Sequence, residues 1–273
     1  MTSPENNARQ EPPILRRKPH RAPSVFTPEA LLREARRQKG IDAGAVPEIC
    51  ILDPDGDIVR HLVTTRRAHR LAAWPCYHTD LYTFEHEGLE YGIVGCAVGA
   101  AFAVLIAEEL FASGCGLLLS MTSAGQILPI QAPPYFIVID RALRDEGTSY
   151  HYLPPTDYSM ADNHLVELAK TSLMSFGVAV RVGATWTTDA PFRETAGAVE
   201  AAREAGILAV EMEAAALYAF AAARQKPVLC LAHVTNQMGR IEGDFEKGAN
   251  DGAEESLNVI AQVARGWRWQ ARR

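Results

Sequence analysis

The feature that most limits how this chain can fold is a repeated switch of hydrophobic period. Short, mostly apolar runs occupy residues 48–52, 116–120, 135–139, 178–185, 208–210 and 227–235. Between and after them, residues 100–113, 161–176, 196–205, 213–225 and 253–268 carry helical spacing. Two further strands are expected near 81–85 and 89–96. A strand that is apolar on both faces belongs inside a covered sheet. Strands that alternate with helices pair mainly in parallel. With 273 residues, 48% of them apolar, the chain can build one large core. The expectation is an α/β protein with one domain over residues 48–273. Its sheet is mixed and mostly parallel, with helices on its flanks.

Residues 1–47 read as an N-terminal tail and helix. The first 24 are rich in Pro, Arg and Asn and suit docking on a neighbouring subunit. Thr27-Pro28-Glu29 then gives a capping hydroxyl, a proline at the first helical position and an acid in the first turn. This predicts a helix that ends at Gly40. Net charge is −6, and the basic residues cluster only at Arg16, Arg17, Lys18, His20 and Arg21, so no nucleic-acid partner is expected. The N-terminus lacks the apolar core of a signal peptide. The uncharged stretch 92–107 is shorter than the roughly 20 residues of a membrane span. A cytoplasmic protein with no membrane partner follows. Cysteines 50, 76, 96, 115 and 230 lack metal-ligand or redox spacing and mostly lie in apolar runs, so no metal is expected.

Ligands of such sheets bind beyond the carboxyl ends of strands. Four segments fall there: 53–60, 120–125, 187–194 and 234–239. The sharpest feature is Val210-Glu211-Met212-Glu213-Ala214-Ala215-Ala216, where two carboxylates flank a methionine at a strand-to-helix junction. Glu213 stands at a helix N-terminus, which favours an anion. The string resembles the ribose-binding segment of the nucleoside phosphorylase and nucleosidase superfamily, nearest its uridine phosphorylase-like branch. Residues 119–125, 144–155 and 187–194 are similar to further motifs of that family.

The resemblance spans about residues 48–265. It implies a nucleoside phosphorylase-like domain whose sheet is partly closed into a barrel. Glu213 accepts hydrogen bonds from ribose hydroxyls and steadies the oxocarbenium-like sugar, with Glu211 and Met212 beside it. Ser123, Ala124 and Gly125 bring small side chains and backbone N–H groups close to ligand. Thr188, Phe192 and Arg193 border the base, with Phe192 stacking on it. Asn236 stands where purine-cleaving relatives carry a general-acid Asp, so the base leaves through hydrogen bonding. Gly56-Asp57-Ile58-Val59-Arg60 keeps the Gly-to-Arg spacing of a phosphate loop, with Arg60 as the cation. The second phosphate arginine is replaced by Ser120. The position of an arginine supplied by a neighbouring subunit falls at Tyr77 or His78.

Phosphorolysis of a nucleoside to base and pentose 1-phosphate is the expected activity, with inorganic phosphate as co-substrate and no other cofactor. Arg66, Arg67 or His78 could replace the missing cations. Alternatively, water accepts the sugar, with Asp53, Asp55 or His78 as base. A third option is a nucleoside-binding protein without catalysis. The resemblance also implies a homo-oligomer, a dimer or trimer of dimers.

Overall fold

The computed structural model describes residues 12–178, 180–239 and 242–271. Residues 1–11 of the anticipated tail lie outside this set. After α1 (Pro28–Lys39) the chain enters β1 (Ile49–Asp53), α2 (Asp57–Thr64), the short β2 (His69–Arg70), and the hairpin β3 (Tyr82–His86) and β4 (Leu89–Gly95). There follow α3 (Ala100–Ala112), β5 (Leu117–Gln126), β6 (Tyr135–Asp145), α4 (Ser149–Tyr152), β7 (Tyr158–Met160) and α5 (Asn163–Ser175). The remainder is β8 (Val180–Thr188), α6 (Ala196–Glu204), β9 (Ala209–Glu211), α7 (Ala214–Arg224), β10 (Val228–Asn236) and α8 (Ala253–Ala271).

The fold turns on β5. Along one edge it lies parallel to β10 over residues 118–125. On its other edge Leu117–Ser120 pair in parallel with β1, whereas Gly125 and Gln126 pair antiparallel with β9. β6 and β8 connect β10 to β9, and the strand order β10-β6-β8-β9-β5 closes on itself through the β5–β10 pairing. The sheet is therefore mixed, part barrel and part open wing, and the wing continues through β1, β4, β3 and β2. Among the described residues, 121–124 have no strand partner on the β1/β9 edge. Here β1 stops and β9 has not yet begun, so the sheet leaves an opening.

Burial follows the sequence pattern. All five residues of β1 and all nine of β10 are buried, each large apolar side chain contributing roughly 1.5–3 kcal/mol. α7 is mostly alanine, which lets it approach the sheet closely. Its one buried polar tip, the Tyr218 hydroxyl, donates to the carbonyl of Ile139 (2.6 Å) and accepts from the Cys230 N–H (3.0 Å). Left unpaired, a buried hydroxyl would cost about 1–3 kcal/mol. Paired to two strands, it fixes α7 against β6 and β10.

Several boundaries differ from expectation. Residues 120–125 lie inside β5, not in a turn after it, because β10 pairs along their whole length. Residues 57–64 form a helix where turn chemistry alone was anticipated. It buries Ile58 and Leu62, and the Asp53 carboxylate accepts the N–H of Val59 (2.9 Å) in its first turn. The polar stretch after residue 144 is an internally tied knot. The buried Arg144 guanidinium reaches the Ser149 and Thr156 hydroxyls and the carbonyls of Leu153 and Pro154. The N-terminal segment packs on this knot in its own chain, through Lys18 to His151 (2.9 Å) and His20 to the Tyr150 carbonyl (3.2 Å). Among the described residues, no helix is long and apolar enough to cross a membrane.

Candidate active site

The opening beside residues 121–124 leads into a cleft of about 340 Å³, within the usual range for small-ligand sites. Glu213 caps the N-terminus of α7 without turning its side chain back onto that helix. Its carboxylate lies between two other elements. Oε1 accepts the N–H of Gly99 (2.7 Å), the cap of α3, and Oε2 accepts the Thr122 hydroxyl (2.9 Å). Gly99 holds φ +90°, which side-chain-bearing residues rarely adopt. Glu213 is 2% exposed. Burial, then the nearby Glu211 charge, raises its pKa to about 8 against the pull of Gly99 and Thr122.

Glu211 also borders the cleft but is otherwise engaged. It accepts the Thr185 and Thr187 hydroxyls and the N–H groups of Glu213 and Ala214, so it caps α7. Burial raises the Glu211 pKa too, while the hydrogen bonds from Thr187, Ala214, Glu213 and Thr185 pull it back down.

The other anticipated residues divide into two groups. Met212, Ser123, Gly125, Phe192 and Asn236 line the cleft with Glu213. Asn236 accepts the Met238 N–H at Oδ1 (2.8 Å) and directs its amide toward the Ala124 carbonyl (3.5 Å). Phe192 is 100% exposed and forms the rim. Ala124 contributes that carbonyl but is not in the lining, and neither is Thr188, whose hydroxyl accepts the Ala190 N–H. Arg193 is exposed on the turn Pro191–Arg193, away from the lining. Tyr77 and His78 lie on another face. The Tyr77 hydroxyl donates to Gln38, and the His78 ring stands edge-on to Phe102.

Sequence reasoning passed over Glu194, Val98, Met238 and Phe245, which also line the cleft. Glu194 ends the motif 187–194, in which Phe192 and Arg193 were the residues expected at the base. Met238 and Phe245 come from the connection after β10, whose composition carries no signal. A larger groove of about 590 Å³ lies between residues 23–31 and α3, but no strand contributes to its lining.

Next to the cleft is a second chamber, much smaller, of about 20 Å³. The two share Asp55, Thr122 and Ser123. Its walls include Asp53, Asp57, His233 and Lys247. The expected phosphate contacts are altered here. The Ser123 N–H donates to Asp55 Oδ2 (3.0 Å), so a carboxylate already occupies it. Arg60 is 59% exposed, pairs with Asp57 and lines neither chamber. Gly56 serves as a hinge: at φ +76°, any Cβ would sit 2.6 Å from the Cys96 sulfur. Arg67 is tied to Glu254 and His86, so it supplies no free cation, and Arg66 lines neither chamber. His233 is stacked on Phe136 (centroids 4.5 Å apart). Burial, with Lys247 nearby, lowers its pKa to about 4, so it is neutral.

Asp53 is 2% exposed, and burial raises its pKa to about 7, with Asp55 and Asp57 adding to the rise. Its unfolded value is near 3.8, so the native state holds an extra proton between about pH 4 and pH 7. Stability is then lost as pH rises through that window, by roughly 4 kcal/mol at most. Asp53→Asn keeps an acceptor for Val59 and removes the charge. We expect its melting temperature to fall less between pH 5 and pH 8 than that of the parent protein, as read by calorimetry. Parallel curves would exclude Asp53 as the source.

The site is thus a buried carboxylate facing a cleft of about 340 Å³ at the rim of a part-barrel α/β sheet. The sequence matches the phosphorylase superfamily over residues 48–265, and the chain belongs to that family. It is 26% identical to a uridine phosphorylase of Thermococcus kodakarensis over 76% of this chain and 84% of the relative. It is 24% identical to a DeoD-type purine nucleoside phosphorylase of Psychromonas ingrahamii over 67% and 77% respectively. Its fold is similar to that of a 5′-methylthioadenosine/S-adenosyl homocysteine nucleosidase from Campylobacter jejuni, with TM-score 0.67 and 18% identity, covering 80% of this chain and 98% of that one.

Proposed function

We propose that this enzyme cleaves the N-glycosidic bond of a nucleoside and passes the pentose to water. The observation that carries the choice of acceptor is the 20 Å³ chamber walled by Asp53, Asp55 and Asp57. Such a volume admits about one water and is too small for a tetrahedral phosphate. A phosphate dianion there would also face carboxylates at short range with few cations to oppose them.

In this reading Glu213 grips the ribose hydroxyls and steadies the positive charge that develops at C1′. The C1′–N bond breaks, and its electron pair leaves with the base. A water oxygen forms the new C1′–O bond, and its proton passes to Asp55. The departing base takes a proton from solvent while the Asn236 amide donates to one of its acceptors. Phe192, Gly125 and Met212 enclose base and sugar. Neither a metal nor an organic cofactor takes part.

Phosphorolysis is the second reading, favoured by the names of the relatives and by Arg60 at its loop position. It requires Asp57 to release Arg60 and the small chamber to open. In either reading a second copy of the chain could bring Tyr77 and His78 to a neighbour's cleft, as expected of a homo-oligomer. A purely binding role would leave nucleosides intact.

A panel of purine and pyrimidine nucleosides, incubated with and without phosphate and resolved by chromatography, tests the choice. Free pentose in both incubations is the expected product. Pentose 1-phosphate formed only when phosphate is present would replace hydrolysis with phosphorolysis. A nucleoside that raises the melting temperature yet releases no base would leave only binding.

A further inference from the structure

Among the described residues, Lys247 is the only lysine or arginine that lines either chamber. It comes from the connection between β10 and α8, a segment that no motif singles out. Its side chain is 21% exposed, and its ammonium lies 2.5 Å from Asp57 Oδ2 and 3.6 Å from Asp55 Oδ2. That Asp55 oxygen also accepts the Ser123 N–H. Asp57 is anchored from its other oxygen by Arg60. The chain of contacts runs Arg60, Asp57, Lys247, Asp55, Ser123, and its last two members sit on the wall shared with the sugar cleft. Burial pulls the Lys247 pKa down, but Asp57, Asp55 and Asp251 more than offset this and leave it raised.

We infer that Lys247 is a positioning residue for the acceptor: its ammonium fills the place where a phosphate would need a cation, and it fixes the Asp55 carboxylate against the sugar cleft. The inference rests on the hydrolytic reading above. Two groups hold Asp55 Oδ2 in place, so Oδ1 is left to face a water. A lysine already neutralised by two aspartates has little attraction left for a dianion. The same contact therefore orients the base and excludes the competing nucleophile. Lys247 walls the small chamber but does not line the sugar cleft, and it acts on the base through Asp55.

The test compares Lys247→Met with Lys247→Arg in the full-length enzyme. Kinetics use the nucleoside that the panel identifies, with and without millimolar phosphate. Lys247→Met is expected to lower kcat roughly ten- to hundred-fold, the usual weight of a charge-assisted contact. KM should change less than about threefold, because the sugar grip is untouched. Lys247→Arg should restore most of kcat. If the Met variant does not fold, Lys247→Gln takes its place with the same expectation.

Free pentose from the parent enzyme with this kcat-selective loss and rescue supports the role. Free pentose from the parent enzyme with an unchanged kcat in the Met variant overturns it and leaves hydrolysis standing. A KM rise with constant kcat likewise overturns it, because Lys247 would then be a binding contact. An absolute requirement for phosphate in the parent enzyme overturns both readings, since phosphate would have to occupy the lysine's place.

Discussion

Replacing Glu213 with glutamine is expected to lower kcat/KM by roughly 10²–10³-fold, the usual loss when a preorganised group facing transition-state charge is neutralised. The fold should survive. Glutamine keeps an oxygen for the Gly99 N–H, and its amide NH2 can donate to the Thr122 hydroxyl once that hydroxyl turns to accept. It also cannot carry the charge that burial and Glu211 disfavour. An unchanged or raised melting temperature with lost turnover is therefore the signature. The pH profile gives a second check. The carboxylate is the working form, and its pKa lies near 8, so kcat/KM of the parent enzyme should climb as pH rises toward that value. The glutamine variant has no such group and should lack the climb. A variant that turns over at the parent rate would remove Glu213 from the mechanism.

Asp55→Asn should produce an effect as large by a different route. General-base catalysis typically contributes 10²–10⁴-fold, and asparagine cannot take the proton from water. It can still accept the Ser123 N–H, so the wall between the chambers stays in place. Loss should fall on kcat, with nucleoside binding retained as a ligand-induced rise in melting temperature. Measuring both in one preparation separates a missing base from a collapsed site. Weak nucleoside binding together with lost turnover would make Asp55 a structural member of the wall.

Much of the fold was legible because burial on two faces leaves an unambiguous mark. β1 and β10 read as continuous apolar runs and are buried from end to end. The junction at Glu213 was readable through the resemblance of the whole string 210–216, because an acidic pair at a helix start is by itself often structural, as the Glu211 cap is. The rest depended on tertiary pairing. The second half of β5 looks like a turn by composition, yet β10 and β9 hold it extended. Arg60 keeps a phosphate-loop spacing, but its partner Asp57 and its exposure come from α2, whose first turn Asp53 ties to β1. Lys247 is far from every motif in sequence, and only the return of the chain after β10 places it beside Asp55.

The edge of β5 that passes from β1 to β9 has an evolutionary consequence. In the proposed reading, the group that grips the pentose comes from the α7 side, while the groups that select the acceptor come from the loop before α2 and the strap after β10. These are separate stretches of polypeptide meeting at one bare strip of backbone. On that reading, substitutions in these two segments can change the acceptor while Glu213 keeps its partners on α3 and β5.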